Sequence, residues 1–170
     1  MNTFFTADNH FGHTNILRFT NRPFSSVEEM DEELIKRWNE KIKVSDLVYH
    51  LGDFSLLSHK YVNKYFDRLN GKINLVPGGH DKRWIRHANN FENVTILPAL
   101  VTIKHNSFPI VLCHYPMLTW DRSHYGSIHL HGHSHGAIPN EGNRMDVGVD
   151  TNNFYPYKLE EIMEIINDKE

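Results

Sequence analysis

Short apolar runs alternate with stretches of helical periodicity in the first half of the chain, and this alternation strongly constrains the fold. Strand candidates span residues 2–7, 46–53 and 72–77. Between them, apolar side chains recur every three or four positions in residues 27–42 and 61–69. This βαβαβ order predicts parallel strands that are covered by helices and joined by right-handed crossovers. Ser residues at positions 26 and 58 precede the two helices and are typical N-caps, and Ser26 with Glu29 indicates a capping box.

The second half has a different pattern. Strand candidates in residues 94–105, 108–116, 127–133 and 144–150 follow one another without helices, and a final helix carries Leu159, Ile162, Met163 and Ile166. We therefore predict an α/β fold of two mixed β-sheets packed as a sandwich with flanking helices. Because no repeat or linker interrupts the chain, we expect residues 1–170 to form a single domain.

Composition excludes several classes of function. With 39% hydrophobic and 23% charged residues, the chain has the composition of a globular protein, and it lacks the run of ~18 apolar residues that a membrane span needs. A net charge of −3 argues against an extended nucleic-acid-binding surface. The single cysteine and an N-terminus without a basic region predict a cytoplasmic protein. The oligomeric state is not indicated.

Polar side chains follow most of the predicted strands, at the point where each strand ends. The carboxyl ends of strands in open α/β sheets are where ligands bind, so we expect these side chains to share one site. They are Asp8, His10, Asp53, His80 and Asp81 in the first half, and His114, His133 and His135 in the second.

Six of these side chains predict a dinuclear metal centre. Carboxylates mixed with imidazoles favour transition metals over Mg²⁺ or Ca²⁺. Six donors exceed what one tetrahedral zinc with an open position needs, but they suit two ions about 3.5–4 Å apart that share a carboxylate. Two divalent ions against two carboxylates leave a positive charge, which favours a bound hydroxide and an anionic substrate such as a phosphate.

The order of these motifs resembles that of a known family. DNH (8–10), GD (52–53), GGHD (78–81), the lone His114 and GHSH (132–135) are similar to the five blocks of the calcineurin-like metallophosphoesterase superfamily, namely D-x-H, G-D, G-N-H-D/E, H and G-H-x-H. The resemblance spans residues 2–150. It implies an α/β-β/α arrangement of four layers and the hydrolysis of phosphate esters.

The resemblance also implies a role for each residue. One ion would be held by Asp8, His10, Asp53 and His135, and the other by Asp53, which bridges, with His114 and His133. Hydroxide would attack phosphorus in line, His80 would assist the leaving oxygen, and Asp81 would hold His80. Manganese is the ion we expect first, with Fe, Zn, Ni or Co as alternatives.

One position departs from the family pattern. The family's Asn, whose side chain ligates the second metal, is replaced by Gly79. This glycine is either a tolerated turn residue with positive φ or the mark of a weakened second site. Three functional interpretations follow: a dinuclear enzyme, an effectively mononuclear enzyme, and an inactive module that uses the same fold to bind a partner.

The segment IHLHGHSH (128–135) places histidine at every second position, so strand alternation would direct all four imidazoles to one face. The pair after Gly132 matches the ligand motif. We therefore interpret His129 and His131 as packed or supporting histidines.

Two long connections are candidates for substrate contact. In residues 11–26, His13, Arg18 and Arg22 could bind a phosphate group of the substrate. Alternatively, the two arginines could have only structural roles, in capping and packing. In residues 119–127, Trp120 and its neighbours could stack on a nucleobase or form a plain surface loop. Together these features predict a phosphoesterase acting on small or terminal phosphodiesters or nucleotide phosphates, with a phosphorylated small molecule or nucleotide as its partner.

Overall fold

Two stacked β-sheets form the centre of the fold. A computed structural model describes residues 1–168, apart from the side chains of residues 88–90. The strands are β1 (Thr3–Thr6), β2 (Leu47–His50), β3 (Lys72–Leu75), β4 (Val94–Ile96), β5 (Leu100–His105), β6 (Phe108–Cys113), β7 (Ile128–His131), β8 (Arg144–Asp146) and β9 (Tyr157–Lys158). The α-helices are α1 (Ile16–Phe19), α2 (Val27–Lys41), α3 (His59–Phe66) and α4 (Leu159–Asn167).

Both sheets are mixed, as predicted. The first has the order β4-β3-β2-β1-β9, with β1 to β4 parallel and β9 antiparallel to β1. The second has the order β5-β6-β7-β8, with β5 antiparallel to β6 and the other neighbours parallel. β4, which the sequence grouped with the later strands, pairs with β3 in the first sheet.

Side-chain alternation along the first sheet separates two apolar cores. Phe4 and Val48 face one core, which they share with buried residues of α2 and α3. Phe5 and Leu51 face the other core, where they meet apolar residues of the second sheet. The predicted sandwich with flanking helices is therefore confirmed.

α4 packs on the core that lies between the two sheets. Its buried residues Leu159, Ile162 and Ile166 join the core between the two sheets. The outer face of the second sheet is covered in part by a loop, in which Trp120 packs on His129 with 5.4 Å between ring centroids. α4 follows directly after the edge strand β9.

The N-terminus of α2 is capped by Ser26, whose side chain accepts a hydrogen bond from the Glu29 backbone N–H at 3.1 Å. The predicted capping box is incomplete, because the Glu29 carboxylate accepts the backbone N–H of Ser25 (2.8 Å). Ser58 precedes α3 but makes no side-chain cap bond. The helix also ends at Phe66, earlier than its apolar pattern indicated, because residues 67–69 turn towards β3.

Ser26→Ala should therefore lower the free energy of unfolding by about 1 kcal/mol, since it removes one bond to an otherwise unpaired helix N–H. Urea denaturation would measure the change. Ser58→Ala is the matched control and should have a smaller effect, because no cap bond is lost there. Equal losses in the two variants would contradict this assignment.

No helix within residues 1–168 is both long enough and apolar enough to cross a membrane.

The carboxyl ends of the parallel strands in both sheets converge on one edge of the molecule. A bridge between Ala7 and Gly148 links the first sheet to the segment that follows β8. At the same edge, the Gly132 N–H donates to the carbonyl of His114 at 3.0 Å, which joins the loops that follow β6 and β7. The predicted site residues lie in these loops.

Candidate active site

Three groups of potential ligand atoms lie at this edge, and two of them contain the predicted metal ligands. The third group, His10 with His13 and His80, shares His10 with one of these two. Asp8, His10 and His135 form the first group, and Asp53, His114 and His133 form the second. Within each group, the ligand atoms lie within 4.8 Å of one another. The structure thus brings together the side chains that the sequence analysis assigned to two ions.

Asp53 lies between the two groups. Its Oδ2 atom is 3.3 Å from His114 Nε2 and 3.7 Å from His10 Nε2. The same oxygen is 3.8 Å from Nε2 of His80. The carboxylate of Asp53 is therefore close to imidazole nitrogens of both groups.

The backbone is left-handed at most of these positions. A positive φ is uncommon for residues other than glycine, and it costs about 1–3 kcal/mol unless the surroundings enforce it, so such residues cluster at functional sites. The φ values are 60° at Asp8, 53° at His10, 53° at Asp53, 69° at His133 and 48° at His135.

These turns correct the expectation for the histidine-rich segment. β7 ends at His131, so His133 and His135 do not follow strand alternation and do not share a face with His129. They diverge instead, and each joins a different ligand group. His129 and His131 lie outside both groups: Nδ1 of His129 hydrogen-bonds to the Val111 carbonyl at 3.1 Å.

Several buried ligand atoms lack a hydrogen-bond partner within the described part of the chain: Asp8 Oδ1, His10 Nε2 and His114 Nε2. Buried polar atoms are normally paired, so a convergent set of unpaired ones indicates a missing ligand. In His114, Nδ1 donates to the Leu51 carbonyl at 2.8 Å, which leaves the Nε2 lone pair free for a cation. The residues present therefore fit a metal centre.

The ionisation of these groups depends on burial and on their neighbours. Burial raises the pKa of Asp8 to about 7. Burial also acts to raise the pKa of Asp53, but its contact with His114, the backbone N–H of His80 and the nearby His10 together outweigh this effect and hold the pKa below its usual range. Burial lowers the pKa of His10, which keeps the imidazole neutral, as a metal ligand must be.

A buried acid that the sequence analysis missed supports the first group. The Asp150 Oδ2 atom is 2.7 Å from His135 Nδ1 and 2.7 Å from a guanidinium nitrogen of Arg22. This contact fixes the imidazole with its Nε2 available as a ligand. Asp150 ends the segment RMDVGVD, so its position after a predicted strand was the available signal.

Arg22 was predicted as a substrate contact, and this is wrong. Its side chain is 0% exposed, and it donates to Asp150 and to the backbone carbonyls of Asp8 and Asn9. It holds the loop of the first ligand group and cannot reach solvent. Arg18 is exposed on α1, and His13 is half-buried, with its Nδ1 3.4 Å from Nδ1 of His10. Substrate contact by these two residues stays a prediction.

Asp150→Asn should weaken binding of the ion at Asp8, His10 and His135 by about 10- to 100-fold, because the imidazole loses its charged partner. It should also lower the free energy of unfolding by about 3 kcal/mol, because buried Arg22 loses its counter-charge. Metal titration calorimetry and urea denaturation would measure the two effects. Glu161→Gln, which breaks the partly exposed pair with Lys41, is the control and should cost at most about 1 kcal/mol. Unchanged ion affinity in Asp150→Asn would contradict this role.

Asp81 has a different role from the one expected. Its carboxylate accepts the backbone N–H groups of Asp53 (2.9 Å), Phe54 (2.9 Å) and Gly78 (2.8 Å). The Nδ1 atom of His80 has no hydrogen-bond partner among the described residues, so Asp81 does not hold that imidazole. Asp81 instead joins the loops that follow β2 and β3, and thereby positions Asp53.

His80 lies at the mouth of the site. Its side chain is 38% exposed, which leaves it accessible to a substrate, and its backbone N–H donates to Asp53 Oδ1 at 2.9 Å. The ring of His13 lies 5.7 Å away, centroid to centroid. An accessible imidazole next to the shared carboxylate can transfer a proton to or from a bound ester.

Gly79 adopts right-handed geometry, with φ −65° and ψ −35°. The interpretation that this glycine is needed for a positive φ is therefore wrong, because any residue can adopt this conformation. A Cβ atom here would lie 3.2 Å from Tyr115 Oη and 4.0 Å from Asp53 Oδ1.

Trp120 is half-buried against the second sheet, and its indole N–H donates to the Ser127 carbonyl at 3.0 Å. The indole thus packs on the fold, and stacking on a nucleobase by residues 119–127 stays a prediction. Tyr125 in the same loop is 78% exposed.

Comparison with known proteins agrees with this geometry. Residues 1–148 of this chain match a protein family that is described as the calcineurin-like phosphoesterase superfamily domain. Protein MJ1445 of Methanocaldococcus jannaschii is 33% identical, with 94% of this chain and 88% of that protein covered. The gene 66 protein of Mycobacterium phage L5 is 29% identical, with coverage of 81% and 79%.

Solved structures share the fold. A protein of Aquifex aeolicus superimposes with a TM-score of 0.76 at 24% identity, with 97% of this chain and 99% of that chain covered. An archaeal phosphodiesterase superimposes with a TM-score of 0.50 at 16% identity, with coverage of 87% and 82%. The matched family, the two sheets and the converging ligand groups place this chain in the calcineurin-like phosphoesterase superfamily, a family of metal-dependent hydrolases of phosphate esters.

Proposed function

We propose that this protein hydrolyses small or terminal phosphodiesters or nucleotide phosphates at a centre of two divalent ions. The observation that carries the proposal is the position of Asp53 Oδ2, 3.3 Å and 3.7 Å from histidine nitrogens of two adjacent ligand groups. The unpaired buried atoms of Asp8, His10 and His114 support it.

The first ion would be held by Asp8, His10 and His135 with Asp53, and the second by Asp53, His114 and His133. Mixed carboxylate and imidazole donors favour Mn²⁺, with Fe, Zn, Ni or Co as alternatives. When bound, the ions supply Lewis acidity, which neutralises charge on the phosphoryl oxygens and acidifies water.

Side chains of the protein have the remaining roles in the reaction. Asp53 keeps its negative charge, because its pKa lies below the usual range, and so it can serve both groups at once. His80 donates a proton from Nε2 to the leaving oxygen of the ester. Asp81 and Asp150 hold Asp53 and His135 in place through buried hydrogen bonds.

A small or terminal substrate suits this surface better than a long duplex. The net charge of −3 provides no excess of cations to follow a nucleic-acid backbone. With Arg22 buried and paired, the candidate phosphate contacts are His13, which is half-buried, and Arg18, which is exposed.

The test is hydrolysis of an aryl phosphodiester, an aryl phosphomonoester and a set of nucleotides by protein loaded with Mn²⁺, Fe²⁺, Zn²⁺, Ni²⁺ or Co²⁺. Activity that disappears in chelator and returns with metal is expected. If two ions bind but no ester is hydrolysed with any of these metals, the enzyme proposal fails. Partner binding that persists without metal would then favour the inactive binding module.

A further inference from the structure

The second ligand group has fewer protein donors than the first. Asp53, His114 and His133 form it, whereas the first group has Asp8, His10 and His135 with Asp53 at its edge. Residue 79 borders the second group but is a glycine and offers no side-chain atom. A fourth donor to the second ion must come from elsewhere in the chain or from water.

The Tyr115 hydroxyl lies close to the position where a side chain on residue 79 would begin. A Cβ built on Gly79 would lie 3.2 Å from Tyr115 Oη, and the next nearest atom outside the adjoining residues is Asp53 Oδ1 at 4.0 Å. The phenol oxygen and Asp53 Oδ1 thus both lie within 4.0 Å of the position that this Cβ would occupy. Tyr115 and Gly79 come from different sheets, since Tyr115 follows β6 and Gly79 follows β3.

Two ligand imidazoles contact the Tyr115 ring. Its centroid is 4.8 Å from that of His114 and 4.8 Å from that of His133, and both pairs meet edge to face. The residue is 48% exposed. A phenol oxygen carries lone pairs and can act as an oxygen donor to a cation.

We infer that Tyr115 supplies, through its hydroxyl oxygen, the fourth protein contact to the ion held by Asp53, His114 and His133. Gly79 and Tyr115 form a matched pair in this arrangement, because a side chain at residue 79 and the phenol oxygen compete for the same space. The inference rests on the proposed metal centre, but it concerns ion binding and not hydrolysis.

Tyr115→Phe tests it, because this change removes only the hydroxyl. Titration with Mn²⁺ by calorimetry should show about 10- to 100-fold weaker binding of one ion, with the other changed by less than about 2-fold. The Mn²⁺ electron paramagnetic resonance spectrum should lose its spin-coupled signal at low ion ratios. Tyr125→Phe, in an exposed part of the same loop, is the control and should leave both ions unchanged.

Gly79→Asn provides the reciprocal test. In the native background, Gly79→Asn should not strengthen the binding of the second ion, since the new side chain would collide with Tyr115 Oη. In the Tyr115→Phe background it should restore at least about 10-fold of the lost affinity, so the two changes should be strongly non-additive.

The inference is overturned if Tyr115→Phe binds both ions as the native protein does. It is also overturned if Gly79→Asn alone strengthens the binding of the second ion about 10-fold, or if the native protein binds a single ion. A protein that shows the expected ion binding but hydrolyses no ester would retain this inference and refute the proposed function.

Discussion

Asp53→Asn is expected to reduce the rate of phosphoester hydrolysis by on the order of 10³-fold or more and to weaken the binding of both ions. Oδ2 of Asp53 lies 3.3 Å from His114 Nε2 and 3.7 Å from His10 Nε2, so one substitution affects both ligand groups. Asparagine has nearly the same shape, and its oxygen can still accept the His80 N–H that Oδ1 accepts at 2.9 Å. The loss should therefore come from the missing charge and not from a collapsed loop.

Turnover with Mn²⁺ and calorimetric ion titration would measure both effects. Circular dichroism in chelator would show whether the fold is retained. Asp67→Asn, an exposed acid at the C-terminus of α3, is the control and should change neither quantity. Two ions bound by Asp53→Asn with native affinity would refute the bridging role.

His80→Ala is expected to lower kcat by about 10²- to 10⁴-fold, the range for loss of a proton donor. The affinity for the two ions should stay within about 2-fold, because His80 is not among the six assigned ligands, although it shares a third group of potential ligand atoms with His10 and His13. The loss should depend on the leaving group. An alkyl phosphate needs a proton at its leaving oxygen and should show the full effect, whereas a nitrophenyl ester should lose much less.

Rates for a series of esters with increasingly basic leaving groups would measure this dependence. His105→Ala, at the exposed end of β5, is the control. An equal loss of rate for all leaving groups, together with weaker binding of the ions, would contradict proton donation. It would indicate that His80 supports the metal ligands.

The order of elements was readable from the sequence because it follows from local rules. Apolar periodicity separates helices from strands, and parallel strands bring their carboxyl ends to one edge. This rule was sufficient to expect Asp8, Asp53 and His114 in one place, and the structure brings them together. The motif order likewise indicated the family, which the match over residues 1–148 confirms.

Other contacts depend on how distant segments pack, and no local rule could supply them. Arg22 and Asp150 are 128 residues apart, and their pairing turns a predicted substrate contact into a buried support. The left-handed turns at His133 and His135 override strand alternation because the loops around Asp8 and Asp150 enforce them.

The sequence by itself determined the residue types at the site and the strands that deliver them, because periodicity and strand ends are local properties. Only the tertiary structure decided what each polar atom contacts, because hydrogen bonds at 3 Å depend on the packing of both sheets. Asp81, which accepts backbone N–H groups of two loops, and Tyr115, which fills the space beside Gly79, acquire these positions only in the folded chain.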